Sequence, residues 1–465
     1  MPDVLTIEIG QAGIQLGNAI WEQYCAEHDI DNTGKRKDEK SRDDLVTVFF
    51  EETNDGHFIP RNLARDLKKK IIIIKIDLEP SVIDNVINGP FAALFSREFL
   101  LSGKEDAANN FARGFYSIGG QIIDKVNDKI RKRIEHFDYL MGFMIVHSVG
   151  GGTGSGLSSL ILEHLAVDYK KKEKIGFDIY PSPTLSTCVT EPYNALLATH
   201  WLIDHTDISL VLDNEAIYGL CQNKLFITKP DINNLNRLIS KVISSMTTSL
   251  RFRAELNVYL DEYSTSLVAF QRLHFLTTGM SPIVPKTHLS NISYTLQDIV
   301  DQCFKPSNWL VQYTNFDPAE DKYMAFYLNF RGDVKSKEAN AEYIWLKINN
   351  KISLVEWCPT GCKMNLDQIP AATLEVDDIG AWNKNTVIIA NNTAIYRMFN
   401  KRIVEKFDYL YSQRAFVHWY VQEKMEETEF LEAREDLKFL EKDYFDVLSD
   451  IPTDYENIDI DCDYW

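Results

Sequence analysis

Along the first half of the chain, short apolar runs alternate with loops rich in Gly, Asn, Asp, Ser and Thr. Each loop opens onto a stretch whose apolar residues recur at three- and four-residue spacing. That alternation predicts buried parallel strands joined by helices, a doubly wound α/β sheet. Six units are visible: residues 4–9 lead into Gly10-Gln11-Ala12-Gly13, 71–76 into Asp77-Leu78-Glu79-Pro80, and 99–101 into the loop 103–110. Residues 143–146 lead into a glycine-rich loop, 177–180 into 186–194, and 208–212 into Asp213-Asn214-Glu215. In such sheets ligands bind where the carboxyl-end loops converge.

Beyond residue 214, helical stretches mix with alternating runs at 324–330 and 386–390, predicting a second, α+β domain. Near the end, Phe430, Ala433, Leu437, Leu440, Tyr444 and Val447 recur at helical spacing. Glu426, Glu427, Glu429, Glu432, Glu435 and Asp436 fill the remaining positions, so one face docks and the other is acidic. Residues 449–465 are Asp-rich without periodicity and read as a flexible tail. The expected organisation is a sheet domain over 1–213, an intermediate α+β domain over 214–392, C-terminal helices over 393–448 and the tail. There is no internal repeat, and 32–44 reads as a solvated loop.

Composition narrows the partners. The 465 residues are 45% apolar, enough for a large core in two or three domains. A net charge of −19 disfavours nucleic acid as the main partner and favours cationic protein surfaces. Seven scattered cysteines suggest a reducing cytoplasm rather than a disulfide framework. Neither an eighteen-residue apolar run nor a signal-peptide pattern is present, so no membrane span is expected. Cys358 and Cys362 lack a second ligand pair for zinc and read as buried thiols; His147 and His418 read as core histidines, and Arg331-Gly332-Asp333 as a turn.

The candidate chemistry lies in HSVGGGTGSGLSS, residues 147–159, with five glycines between Gly150 and Gly156. Bare backbone lets successive N–H groups converge on one anion, and the helix that follows adds its partial positive charge. Phosphate is the natural guest, with Ser148 and Thr153 as hydroxyl donors. The loop lacks the Lys-Ser/Thr ending of a P-loop and the G-x-G-x-x-G spacing of a dinucleotide fold. A tight strand-to-helix turn without a ligand is the alternative.

GGGTGSG in this position resembles the signature of the tubulin family. The resemblance extends through GQAGIQLGNAIWEQYC (10–25), DLEPSVID (77–84), SGKEDAANNFARG (102–114), TEPYNALL (190–197), DNEAIY (213–218), NLNRLIS (234–240) and WCPTG (357–361). The stretch 414–444, the long segment 365–386 and Glu262 in NVYLDEY resemble the α type. The resemblance implies a tubulin-like fold in which GTP lies over the six loops. Gln11, Ala12, Ser148, Gly151, Gly152 and Thr153 would approach the phosphates, and Thr187, Glu191, Asn214 and Asn236 the ribose and base. Gly10, Asn109, Gly154 and Ser186 would complete the nucleotide contacts, with Glu79 and Asp106 facing Mg²⁺, which favours carboxylate and phosphate oxygens.

It further implies a heterodimer with β-tubulin, head-to-tail filament neighbours, and microtubule-associated and motor proteins on the acidic face, in the cytoplasm and cytoskeleton. Glu262 would then act as the catalytic residue on the GTP of the neighbouring subunit. Several features depart from the family. Residues are inserted between Pro60 and Asp77, Ile232 and Tyr259 replace an aromatic and an acid, and 282–295 differs in the lateral-contact loop. These departures suggest a specialised relative of cilia, basal bodies or microtubule ends as one alternative. A monomeric regulatory GTPase is another, and a dinucleotide-dependent oxidoreductase a distant third.

Overall fold

A computed structural model describes residues 2–35, 50–52, 58–60, 73–137, 139–182, 188–252, 259–291, 293–313, 316, 321–349, 351–358 and 360–448. The strands are β1 (Pro2–Ile9), β2 (Phe50–Glu52), β3 (Phe58–Pro60), β4 (Ile73–Asp77), β5 (Leu100–Ser102) and β6 (Tyr139–Ser148). They continue as β7 (Glu173–Tyr180), β8 (Ile208–Asp213), β9 (Phe275–Ser281), β10 (Tyr323–Gly332), β11 (Cys362–Asp367) and β12 (Lys384–Asn392). All six predicted units yield parallel strands, in the order β5-β4-β1-β6-β7-β8. The sheet then runs on through β9-β12-β10-β11, to ten strands. Only Ser209↔Phe275 and Leu210↔Leu276 register β8 against β9, and β12 runs antiparallel to both its neighbours.

Two apolar layers cover the sheet. One contains helices Gly119–Ile134, Ser158–Asp168, Glu191–His205 and the C-terminal helices; the other contains Gly10–Glu27, Pro80–Ile87, Asn214–Asn223 and Ile232–Met246. Strands buried on both faces read as continuous apolar runs, which is why the first six were visible in the sequence. Charges inside these strands come matched. Glu8 and Lys75 face each other on β1 and β4, Nζ to Oε2 2.5 Å, with Asn18 Oδ1 accepting from the same ammonium at 2.8 Å. Burial pushes the Glu8 carboxyl up and the Lys75 ammonium down, each against the opposing charge of its partner.

A second buried network joins the parts of the molecule. Glu27 receives Arg251 at 2.7 Å and Arg331 at 3.1 Å, and Ser244 Oγ donates to it at 2.6 Å. Burial alone would raise the Glu27 carboxyl, but Arg331 and Arg251 hold it well below the usual carboxylate range. Arg331 of the Arg-Gly-Asp tripeptide is therefore an interior ion-pair partner, while Gly332 makes the turn at φ +99°.

Helix Thr428–Leu448 buries Phe430, Ala433, Leu437, Leu440 and Tyr444, as its spacing predicts. It docks on Glu191–His205, with the Tyr193 and Phe430 rings 5.2 Å apart. Its acidic side is only partly free: Asp436 pairs with His200 at 2.6 Å, and Glu429 accepts from Tyr116 Oη at 2.7 Å. Two expectations fail. His418 lies on the solvent side of the short helix Val417–Gln422, which buries Val417 and Tyr420 instead, and Cys358 and Cys362 are half-buried rather than fully enclosed.

Candidate functional site

The amino end of helix Gly10–Glu27 meets the turn after β6 at the carboxyl edge of the sheet. Gly10 has φ +73°, and a Cβ there would lie 3.2 Å from Gly154 N. A Cβ on Gly152 would meet Asn110 N at 2.7 Å, on Gly154 the Ser148 carbonyl at 2.5 Å, and on Gly156 the Phe111 carbonyl at 2.3 Å. These glycines are required for close packing of the turn. Gly151 is different: among the described residues nothing lies within 4 Å of its added Cβ, so it faces open space. Most of the bare backbone thus serves tight packing, and Gly151 leaves room for a ligand.

Thr153–Leu157 winds as a π-helical turn that continues into Ser158–Asp168. No side chain caps its amino end. Ser155 Oγ donates back to the Gly151 carbonyl, Ser159 Oγ donates to Ser155 O at 2.8 Å, and Ser148 Oγ donates to Ile179 O at 3.3 Å. Uncapped N–H groups at a helix start, beside an open position, are suited to an anion.

A residue without a sequence-stated role fastens these loops together. Asn194 is fully buried. Its Nδ2 donates to the Asn109 carbonyl at 2.8 Å and the Gly150 carbonyl at 2.9 Å; its Oδ1 accepts from Phe111 N at 3.0 Å and Tyr420 Oη at 2.7 Å. One amide thereby joins the loop after β5, the glycine turn and the C-terminal helices. The available signal was a polar side chain among Tyr193, Ala195 and Leu196 in an otherwise apolar helix segment.

At the ends of β4 and β5, Glu79 is half-buried and Asp106 exposed, the latter accepting from Ala108 N at 3.1 Å. Between their elements sits Asp77, which the sequence reading left without a role. Burial, joined by the charges of Asp106 and Glu79, pushes the Asp77 carboxyl up to about 6 against the pull of nearby backbone N–H groups. Its Oδ2 is buried without a hydrogen-bond partner among the described residues. Among the described residues no three ligating side chains are close enough to hold an ion by themselves. The fitting guest is a cation that keeps waters and phosphate oxygens, as Mg²⁺ does.

Gln11, Ala12, Asn109, Glu191 and Asn214 fall on the same edge. Gln11 is exposed and Ala12 half-buried in the first turn after Gly10; Asn109 is exposed at φ +54°, and its carbonyl also accepts from Thr190 Oγ1 at 3.0 Å. Glu191 opens its helix beside Gly150, whose added Cβ would lie 3.4 Å from Glu191 Cγ. Asn214 opens the helix after β8, where Asp213 accepts from Glu215 N at 3.0 Å. Asn236 is buried within Ile232–Met246, while Ile232 at its start is 61% exposed. Ser186 and Thr187 lie outside the described residues.

Glu262 is elsewhere. It lies on helix Leu260–Leu267, which packs against β6 and β7, and Tyr259 and Asp261 share a cavity with Tyr139, the first residue of β6, and Glu173, the first residue of β7. These contacts put the helix at the amino edge of the sheet. The eight residues of β7 separate the two edges by roughly 25 Å at strand rise. Glu262 is half-buried and ion-paired with Lys363 on β11.

Two family models match the chain. The family model described as "Tubulin/FtsZ family, GTPase domain" matches residues 3–222, and "Tubulin C-terminal domain" matches 271–404. "Tubulin alpha chain, nucleomorph" of Guillardia theta is 48% identical over 453 residues, 97% of this chain and 98% of that protein. Among the described residues no helix is long and apolar enough to cross a membrane. With a GTPase domain built on the carboxyl-edge loops and nearly full-length similarity to an α chain, the protein belongs to the tubulin family, as an α-type, GTP-binding subunit of the cytoskeleton.

Proposed function

We propose that this chain holds GTP over its six carboxyl-edge loops, pairs with a β-type tubulin, and supplies Glu262 to hydrolyse the GTP of the neighbouring subunit. The carrying observation is the separation of the two halves of the chemistry: the glycine turn is on one edge of the sheet and Glu262 on the other. Head-to-tail stacking brings such edges together and extends without closing, as a filament. A carboxylate from the next subunit then orients the attacking water, the main requirement of phosphoryl transfer beyond charge stabilisation.

In this reading the uncapped amides around Gly151–Gly154 with Gly10, Gln11 and Ala12 hold the phosphates, while Glu191, Asn214 and Asn236 hold the ribose and base. The unpartnered Asp77 Oδ2 beside Glu79 and Asp106 fits Mg²⁺, which would neutralise phosphate charge; Glu79 and Asp106 would hold it through its waters. Residues 1–213, 214–392 and 393–448 act as nucleotide, intermediate and partner-binding units, in the cytoplasm. The acidic helix face that remains exposed, Glu432 and Glu435, is offered to basic accessory and motor proteins.

The test is Glu262→Ala, coassembled with a β-tubulin, with phosphate release followed per polymerised dimer. Release slows at least a hundredfold while assembly persists, the scale of losing a general base. Unchanged release removes Glu262 from the mechanism.

A further inference from the structure

Helix Leu260–Leu267 is fixed by interior contacts in which Glu262 takes no part. Its buried residues are Leu260, Tyr263 and Leu267. The Tyr263 ring lies 4.8 Å from that of Tyr327 on β10, and its Oη donates to the Met246 carbonyl at 3.0 Å. At the far end of the helix, the buried Asn391 of β12 donates from Nδ2 to the Leu267 carbonyl at 2.9 Å. The backbone that carries Glu262 is thus held along its length, and the freedom left is that of the glutamate's own rotatable bonds.

Glu262 is the third residue of this helix. A glutamate there can reach back to the amide of the residue before the helix, closing a capping box when that residue offers a hydroxyl beside the backbone. Tyr259 occupies that place, and its side chain makes no cap. The Glu262 carboxylate is engaged from the sheet instead: Oε2 accepts a hydrogen bond from Lys363 Nζ. Lys363 is paired with Tyr327 in the β10–β11 register, while its neighbours Cys362 and Met364 pack into the apolar layer on the other face. Strand alternation therefore sends Lys363 to the face that carries the helix. It is the second residue of β11, which runs parallel to β10, so it stands at the same amino edge as Glu262.

Both side chains remain partly open, Glu262 33% and Lys363 40% exposed. Ion pairs this accessible add little to stability. The consequence of this one is local: it selects one direction for the carboxylate and sets a cation beside it. The cation bears on the encounter between subunits, because a lone carboxylate approaching a triphosphate meets like charge. Paired with Lys363, the carboxylate arrives with its charge offset.

We propose that Lys363 is a positioning residue for hydrolysis, holding the Glu262 carboxylate in one orientation at the amino edge and offsetting its charge as the neighbour's phosphates approach. The inference rests on Glu262 acting on the neighbour's GTP, and it adds a residue that works only through Glu262.

The test coassembles full-length variants with GTP-loaded β-tubulin, counting phosphate release per polymerised dimer and measuring the critical concentration for assembly separately. Lys363→Met, which removes the charge at similar length, should slow release by about tenfold or more, the direction expected of a misplaced catalytic group. Lys363→Gln carries the same expectation and stands in if the methionine chain does not assemble. Lys363→Arg, which keeps a cation and its donors, should release phosphate within about threefold of wild type. In a Glu262→Ala background, Lys363→Met should change release by less than about twofold, because the group it acts through is gone. Wild-type release by the uncharged variants, an arginine variant as slow as they are, or a further tenfold loss in the Glu262→Ala background each overturns the proposal. Glu262→Ala that hydrolyses like wild type refutes the catalytic reading, and the proposal falls with it. Slow release by Glu262→Ala beside normal release by Lys363→Met overturns the proposal alone, so the two failures are distinguishable.

Discussion

Gly151→Ala and Gly152→Ala place the same methyl group one residue apart and should have opposite effects. At Gly152 the new Cβ lies 2.7 Å from Asn110 N and 2.8 Å from Ala107 Cβ, closer than real Cβ atoms come, and the nearest obstacle is backbone. Relief requires the loop after β5 to move away from the turn, and overpacking of this kind costs about 1–3 kcal/mol. At Gly151 the Cβ meets nothing within 4 Å, and the glycine does not use a positive φ. That variant should keep or gain stability, by about 0.4–1 kcal/mol through the less flexible unfolded chain. Its methyl, however, projects into the space assigned to the phosphates. GTP affinity should fall at least tenfold, about 1.4 kcal/mol. Nucleotide-stripped chains are compared by thermal unfolding, and binding by titration with a fluorescent GTP analogue. A Gly151→Ala chain that binds GTP like the wild type would show that the phosphates do not lie there.

Three further outcomes follow from the same geometry. Asn194→Ala strands the Gly150 carbonyl and Phe111 N–H, each a loss of about 1–3 kcal/mol, so melting should fall and GTP dissociation quicken together; a fall in melting alone would reduce Asn194 to packing. The raised Asp77 carboxyl binds its proton more tightly folded than unfolded, so its ionisation opposes folding fully above about pH 6, and this penalty disappears as pH falls toward 4. Nucleotide-free Asp77→Asn should therefore be about 2–3 kcal/mol more stable than wild type at pH 7, by denaturant titration, with the advantage vanishing near pH 4; a constant difference would contradict the assignment. Glu27→Gln leaves two interior guanidiniums unneutralised and should lose about 3–5 kcal/mol of unfolding free energy, against little change for Glu432→Gln on the solvent side.

The sequence displayed what depends on periodicity. Six apolar runs became six parallel strands, although β6 and β7 extend beyond the predicted 143–146 and 177–180: Tyr139-Leu140-Met141, set off from the run by Gly142, and the charged Glu173-Lys174 also lie in the sheet. The terminal helix was equally plain, whereas Trp419 and His418 show how a short helix misleads: the apolar run around them is not all inside. The glycine turn was legible as a candidate phosphate site, but not the division of labour within it. Only the fold shows that Gly152, Gly154 and Gly156 are needed for packing and Gly151 for space. Asn194 and Asp77 were hidden for one reason: the partners of Asn194 are 44 residues or more away, and Asp106, whose charge acts on Asp77, lies 29 residues on, and single residues carry no record of such neighbours. Glu262 was named through resemblance, and the fold places it on the opposite edge of the sheet from the glycine turn.

Single-turnover hydrolysis at high dilution tests that separation of edges most directly. The purified chain is loaded with γ-³²P-GTP and diluted until no neighbour can be engaged, and phosphate is counted over hours before and after a β-type tubulin loaded with the same labelled GTP is added at an assembling concentration. The account predicts retained, intact GTP in the isolated chain, and hydrolysis on the added partner's nucleotide that appears only on assembly. Rapid first-order phosphate release from the solitary chain would contradict it.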